Sequence, residues 1–401
     1  MKSLKLTIPR KITKQRMIEI LFSIGVFLLI IIPKGGIKVA QVPITWGYLY
    51  LGLMFLIIGR YVFIKNQKHS IPLKLLICYL ASFLFFIFFI FHLFFLGYDG
   101  RKGDLIAYLV NFGFLPFLFL IILPPYFSQL SQDFINRRIC NAIFITSLYG
   151  IILFVIKNIF KTDIEIPYLT INAADIGDVA DKYNQRGNIM KLISTYNNGN
   201  IFGVCTLMLF PLFYYNTQKK YKIAIVILAL VLTLSRTVWL GLLFFFLIVY
   251  RNKIYNLLKS LILVLIFISI LSFFFFSSKF QYGSLGGFVL DSRLGGRISQ
   301  VRQSLEFSFF GLKPFSNVAE IVYLSIFKQL GIIGLLIYLI AFLTPIFLFF
   351  NTKNNNFQYI LGVIIYVFVS MSDGCTLFIP TLAFFSFVVA MSFIKNNVNE
   401  N

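Results

Sequence analysis

The chain has 401 residues and a formal charge of +22, yet 59% of it is hydrophobic and only 12% is charged. Soluble domains run near 25% charged residues, so a water-soluble globular protein is excluded and the bilayer is the expected solvent. The excess of lysine and arginine does not point to nucleic acid, because those residues gather where apolar runs end, as membrane topology requires.

Six basic residues, Lys2, Lys5, Arg10, Lys11, Lys14 and Arg16, precede the first apolar run. That run leads into PKGG rather than a small-residue cleavage site, so it reads as a retained first span and not a signal peptide. Apolar spans follow near 17–33, 44–64, 72–96, 105–123, 139–157, 199–215, 223–235, 237–250, 259–277, 321–350, 358–372 and 376–394. The pattern predicts an all-α polytopic protein of about 12 transmembrane helices, one integral membrane domain over 1–401. Alternating the connections puts Arg60, Lys65 and Lys68, then Arg137 and Arg138, the lysines of 219–222, Arg251, Lys253 and Lys259, and finally Lys353 and Lys395 inside. Both termini are then cytoplasmic. Residues 321–350 are long for one crossing, which predicts a tilted or projecting helix. Cys78, Cys140, Cys205 and Cys375 lie in or beside separate apolar segments without CxxC spacing, so neither a disulfide nor a metal site is expected.

From Lys222 to Arg251 the chain is apolar, basic at both ends and broken once, at Ser235-Arg236-Thr237. A guanidinium at the centre of a spanning helix costs roughly 2.5–3.5 kcal/mol on insertion scales, so a chain that keeps one usually uses it. One continuous span would also set Lys219, Lys220 and Lys222 on the side opposite Arg251, Lys253 and Lys259. Basic flanks belong on one cytoplasmic side, which predicts a hairpin of two short helices with Arg236 at its far tip. Each arm has 12 or 13 apolar residues, about 20 Å of helix against a hydrocarbon core of roughly 30 Å. The tip therefore stops short of the far surface, and Arg236 lines a water-accessible cavity entered from outside.

Two outside segments, about 158–198 and 278–320, are too long to be turns, and long structured loops usually carry function. The first holds Asp163, Glu165, Asp175, Asp178 and Asp181, then Lys182, Arg186 and Lys191; the second holds Lys279, Arg293, Arg297, Arg302 and Lys313 against Asp291, Glu306 and Glu320. Arg293, Gly296, Arg297 and Ile298 lead into Val301, Leu305 and Phe309, an amphipathic run that fits a surface helix with its arginines aimed inward. The alternative is an interfacial helix whose arginines meet lipid phosphates. Outside arginines run against the positive-inside preference, so Arg186, Arg236, Arg293, Arg297 and Arg302 call for an anionic partner, and a membrane-borne pyrophosphate suits the guanidinium fork. No GxxxxGK[ST], HExxH or CxxC sequence occurs, which argues against ATP as energy source and against a metal. His69 lies in a cytoplasmic loop and His92 in a Phe-rich span, where a packed or pore-lining histidine is expected rather than a catalytic one.

These residues resemble a family. Leu234-Ser235-Arg236 at a hairpin tip, Gly295-Gly296-Arg297 in an external loop, FFGLKPFSN from Phe309 to Asn317, and YLSIFKQLGIIGLLIYL from Tyr323 to Leu339 look like the O-antigen ligase and polymerase superfamily. TYNNGNIFGV, from Thr195 to Val204, is similar to the start of that family's middle span. Ligases of the superfamily carry a histidine in an HNxYL-type stretch, eleven residues before the first glycine of GxxG. Counting back from Gly331 reaches Glu320, with Tyr323 and Leu324 on the YL and Ile321 in place of asparagine. Without that histidine the chain resembles a polymerase more than a ligase.

The resemblance implies a GT-C type glycosyltransferase that joins undecaprenyl-diphosphate-linked repeat units of an O-antigen or capsule outside the cytoplasmic membrane. The lipid-linked oligosaccharide would be both donor and acceptor, with a chain-length regulator as a further partner and no cofactor. Arg236 and Arg297 would stabilise charge on the departing pyrophosphate, helped by Arg186, Arg293 and Arg302. Glu320, in a slot between loop and membrane where it would be desolvated, is the first candidate to take the acceptor hydroxyl's proton; pairing with a loop arginine is the competing role. Asp373 is the second carboxylate, and Tyr323 joins the substrate-binding set. A ligase shares the donor. A flippase for the same lipid would show two similar halves and short external loops, unlike the long loops here.

Overall fold

The computed structural model describes residues 14–39, 42–64, 71–162, 164–172, 184–186, 189–251, 300–301, 308–351 and 356–394. Among them the chain is helical nearly throughout, with two short antiparallel hairpins, β1 (Gly36–Val39) with β2 (Val42–Thr45) and β3 (Gln185–Arg186) with β4 (Ile189–Met190). The helices are α1 (Lys14–Val26), which continues as a π turn to Ile31, α2 (Trp46–Ile64), α3 (Leu73–Leu96), α4 (Lys102–Phe127), α5 (Gln132–Phe160), α6 (Gly199–Asn216), α7 (Lys220–Leu232), α8 (Arg236–Val249), α9 (Val322–Phe350), α10 (Phe357–Val369) and α11 (Ile379–Phe393). Four of them, α3, α4, α5 and α9, are long and apolar enough to cross a membrane. Eleven of the twelve expected apolar stretches fall on these helices, although α5 begins at Gln132 rather than at 139; the stretch expected at 259–277 lies outside the described residues.

The hub is α6, which carries no charge and is buried along almost its whole length, the signature of a helix apolar on every side. Asn198 starts it by accepting from the backbone amides of Asn200 (2.9 Å) and Ile201 (3.2 Å). Neighbouring contacts fix the direction of the surrounding helices. Gly203, Phe210 and Tyr214 of α6 meet Val238, Phe245 and Tyr250, so α6 and α8 run parallel. Lys222 lies over the Phe144 ring near the far end of α6, whereas the Leu232 carbonyl accepts from Leu192 beside Gly199, so α7 runs antiparallel. The expected hairpin is therefore present, with arms of 13 and 14 residues. For α10 the pairings Gln358 with Asn216 and Gly362 with Met208 give another antiparallel neighbour.

One expectation is corrected. Residues 322–350 form no single tilted helix, because Gly331 has φ 72° and ψ −174°, outside the helical region. The Tyr323 and Tyr338 rings lie 5.9 Å apart, whereas a straight helix would separate them by about 22 Å along its axis. The short arm folds back on the long one. Backbone bonds from Ile332 to Ser308 (3.0 Å) and from Ile333 to Phe309 (3.1 Å) satisfy amides freed by the break.

Candidate functional site

The two arms of the α7–α8 hairpin are joined by Thr233, Leu234 and Ser235. Leu234 adopts φ 50°, a left-handed conformation unusual for a bulky residue, and is held in it by full burial of its side chain. Trp239 Nε1 donates to the Val231 carbonyl at 3.0 Å, an acceptor it shares with the Leu234 amide at 3.1 Å. Arg236 is thereby the first residue of α8, half-buried at a helix N-terminus. A cation there is opposed by the helix dipole, so guanidinium and dipole together favour an anion at this point.

Three other segments meet the hairpin tip. The first is the strap before α6. Asn184 donates to the Asn197 carbonyl (2.9 Å) and accepts from the amides of Gly199 (3.4 Å) and, on its carbonyl, Lys191 (2.7 Å). This lashing buries Lys191 to 3% exposure and points its Nζ at Asn200 Oδ1, 3.3 Å away. The second is the α10–α11 connection, where Ser372 bonds Thr237 and where Asp373, 3% exposed, accepts from the Cys375 amide at 3.1 Å. The third is the chain entering α9. A methyl group on Gly374 would lie 2.7 Å from the Ala319 carbonyl oxygen and 3.4 Å from Glu320 Cα, so glycine permits that close approach.

Electrostatics link the pieces. Burial, and after it the Asp373 carboxylate, push the Cys375 thiol up while Lys191 pulls it down, so Cys375 is a neutral thiol and no nucleophile. Cys375 also lies within reach of Cys205, whose thiol is 3.8 Å from Thr381 Oγ1 and feels Lys34. Lys34 acts on the Cys205 thiol and Lys191 on the Cys375 thiol, while Arg236 and the buried Asp373 stand next to the Thr237–Ser372 pair.

Of the residues singled out from sequence, the structure gathers Arg236, Asp373 and Glu320 on adjoining segments. Glu320 is exposed at the edge of this cluster, so the burial expected to desolvate it is not found. Tyr323 is half-buried, with its hydroxyl donating to the Val367 carbonyl at 2.7 Å, an internal contact. Arg186 contributes backbone to β3 opposite Ile189. Arg293, Arg297 and Arg302 lie outside the described residues, as does His69. His92 is packed, 5% exposed, beside Gly311 and Gln329. Sequence reasoning missed Lys34 and Lys191. Both stand in segments assigned outside, so the rule that singled out the arginines applied to them equally.

An apolar cavity of about 90 Å³ between α1, α2 and α4 is lined by no charged residue and takes no part in the cluster. Among the described residues no group of three or more His, Cys, Asp or Glu side chains is placed to hold a metal ion. No protein-family model matches the chain, and no curated protein matches it.

Proposed function

We propose that this is a membrane glycosyltransferase that joins undecaprenyl-diphosphate-linked repeat units into a polysaccharide, closer to a polymerase than to a ligase. One observation carries the reading: a broken helix pair, a loop strap, a helix connection and the foot of α9 converge on a positively charged cluster inside an apolar bundle. A guanidinium and an ammonium on adjoining segments suit the charge and the oxygen geometry of a pyrophosphate. The donor's leaving group is already activated, so little covalent chemistry is asked of the protein. Arg236 and Lys191 hold the departing diphosphate and offset the charge that develops on it; Lys34 adds a second ammonium at the rim. Glu320, exposed on the adjoining segment, accepts the proton of an incoming sugar hydroxyl in this reading. Asp373, in the connection tied to the first turn of α8, has a positioning role. Anomeric bond cleavage then leaves undecaprenyl diphosphate and a glycan longer by one unit. In this reading the hairpin tip faces the outside, where such lipid-linked sugars are presented.

The test is the surface glycan of a deletion strain. Single repeat units on the lipid anchor, with the polymer lost, support a polymerase; loss of every repeat unit assigns the chain to ligation; an unchanged glycan refutes both.

A further inference from the structure

At the bundle end away from the charged cluster, α1 and α5 part to leave an open groove of about 470 Å³, within the roughly 300–1,000 Å³ usual for ligand clefts. One wall is a single stripe of α1. Arg16, Ile20, Ile24 and Phe27 recur at helical spacing, and the three apolar members are each about 42–44% exposed. The other wall is the first two turns of α5, where the Arg138 guanidinium stands over the Phe134 ring with 5.1 Å to its centroid. Glu19 and Ser23 complete the lining, the Ser23 hydroxyl donating to the Glu19 carbonyl at 2.8 Å. The groove thus has an apolar floor of Ile20, Ile24, Phe27 and Phe134, and its charged groups are two guanidiniums and one carboxylate, a net +1.

We propose that this groove holds one anionic phospholipid of the phosphatidylglycerol class. The lone negative charge of that lipid matches the site. Its phosphate meets Arg16 and Arg138 by forked hydrogen bonds, a glycerol hydroxyl donates to Glu19, and an acyl chain lies along Ile20, Ile24 and Phe27. Basic grooves between helices at a membrane surface bind anionic headgroups through this combination of charge and apolar wall. The inference is independent of the proposed glycosyl transfer, because none of these residues belongs to the cluster around Arg236.

Purified full-length protein in detergent, offered equal amounts of phosphatidylglycerol, phosphatidylethanolamine and phosphatidylcholine, is read by native mass spectrometry. At about 1 kcal/mol per basic residue, two arginines should favour phosphatidylglycerol over phosphatidylcholine by roughly thirtyfold. The preference should fall towards unity in Arg16→Gln with Arg138→Gln, and persist in Arg137→Gln, whose side chain is exposed but does not line the groove. Ile24→Trp should displace the bound lipid while leaving both arginines in place. In the unaltered protein, added salt should erode the preference, a reading that needs no variant. Equal retention of the three lipids, a preference for phosphatidylethanolamine, or a phosphatidylglycerol preference that survives the double substitution would overturn the proposal.

Discussion

The hydroxyls of Thr237 and Ser372 lie 3.2 Å apart, and Thr237 Oγ1 also stands 3.5 Å from the Ser372 carbonyl oxygen. This pair ties the first turn of α8, which presents Arg236, to the connection that presents Asp373. Thr237→Val keeps the shape and removes the hydroxyl, at a cost of roughly 0.5–1.5 kcal/mol per hydrogen bond. Chain extension should drop several-fold at unchanged protein level, and Thr237→Ser should restore most of it. Equal activity of the valine variant would show that the tether does not position Arg236.

Lys191 and Glu320 are assigned separable roles. Lys191→Gln retains a donor for Asn200 but loses the charge, so binding of lipid-diphosphate donor should weaken. Glu320→Gln should bind donor normally and transfer slowly, since an amide cannot accept the acceptor's proton. Measuring donor binding and extension separately on each variant checks both. Normal transfer by Glu320→Gln would remove it as the base.

Gly331 turns the chain at φ 72°, and a methyl group there would lie 2.6 Å from the Gly311 amide nitrogen. Gly331→Ala should therefore destabilise by about 1–3 kcal/mol. Gly52→Ala in α2, where nothing lies within 4 Å, is the matched control and should leave the melting temperature unchanged or raised. Thermal unfolding of the two variants in detergent decides it.

Reporter tags after Lys219 and after Lys353 should read cytoplasmic, and tags near Lys182 and Lys313 external. A cytoplasmic reading near Lys313 would reverse the orientation and place the charged cluster on the wrong side for lipid-linked sugars.

Much of the helical layout was legible because apolar length and basic flanks are local properties. The α7–α8 hairpin, in particular, follows from Lys219–Lys222 and Arg251 flanking a single arginine. The Gly331 break was not legible, since GIIGLL reads as uninterrupted apolar helix and a positive φ leaves no mark on composition. Lys191 was legible as an outside cation but not as a buried one, because its burial is produced by the Asn184–Asn197 bond that folds the strap. Glu320 was expected to be desolvated from its place where loop meets membrane, yet sequence position fixes no burial, and the side chain is exposed. The connection at Asp373 was placed correctly between the last two helices, but its contact with Thr237 joins residues 135 apart in sequence.

The most direct test is extension by the purified protein, given only lipid-diphosphate-linked repeat units. The unaltered chain should yield longer glycans and release undecaprenyl diphosphate in step with each added unit. Arg236→Ala should yield none, and Arg236→Lys nearly none, because a point charge does not replace the bidentate fork. Absence of any extension by the unaltered protein, or undiminished extension by Arg236→Ala, would contradict the account.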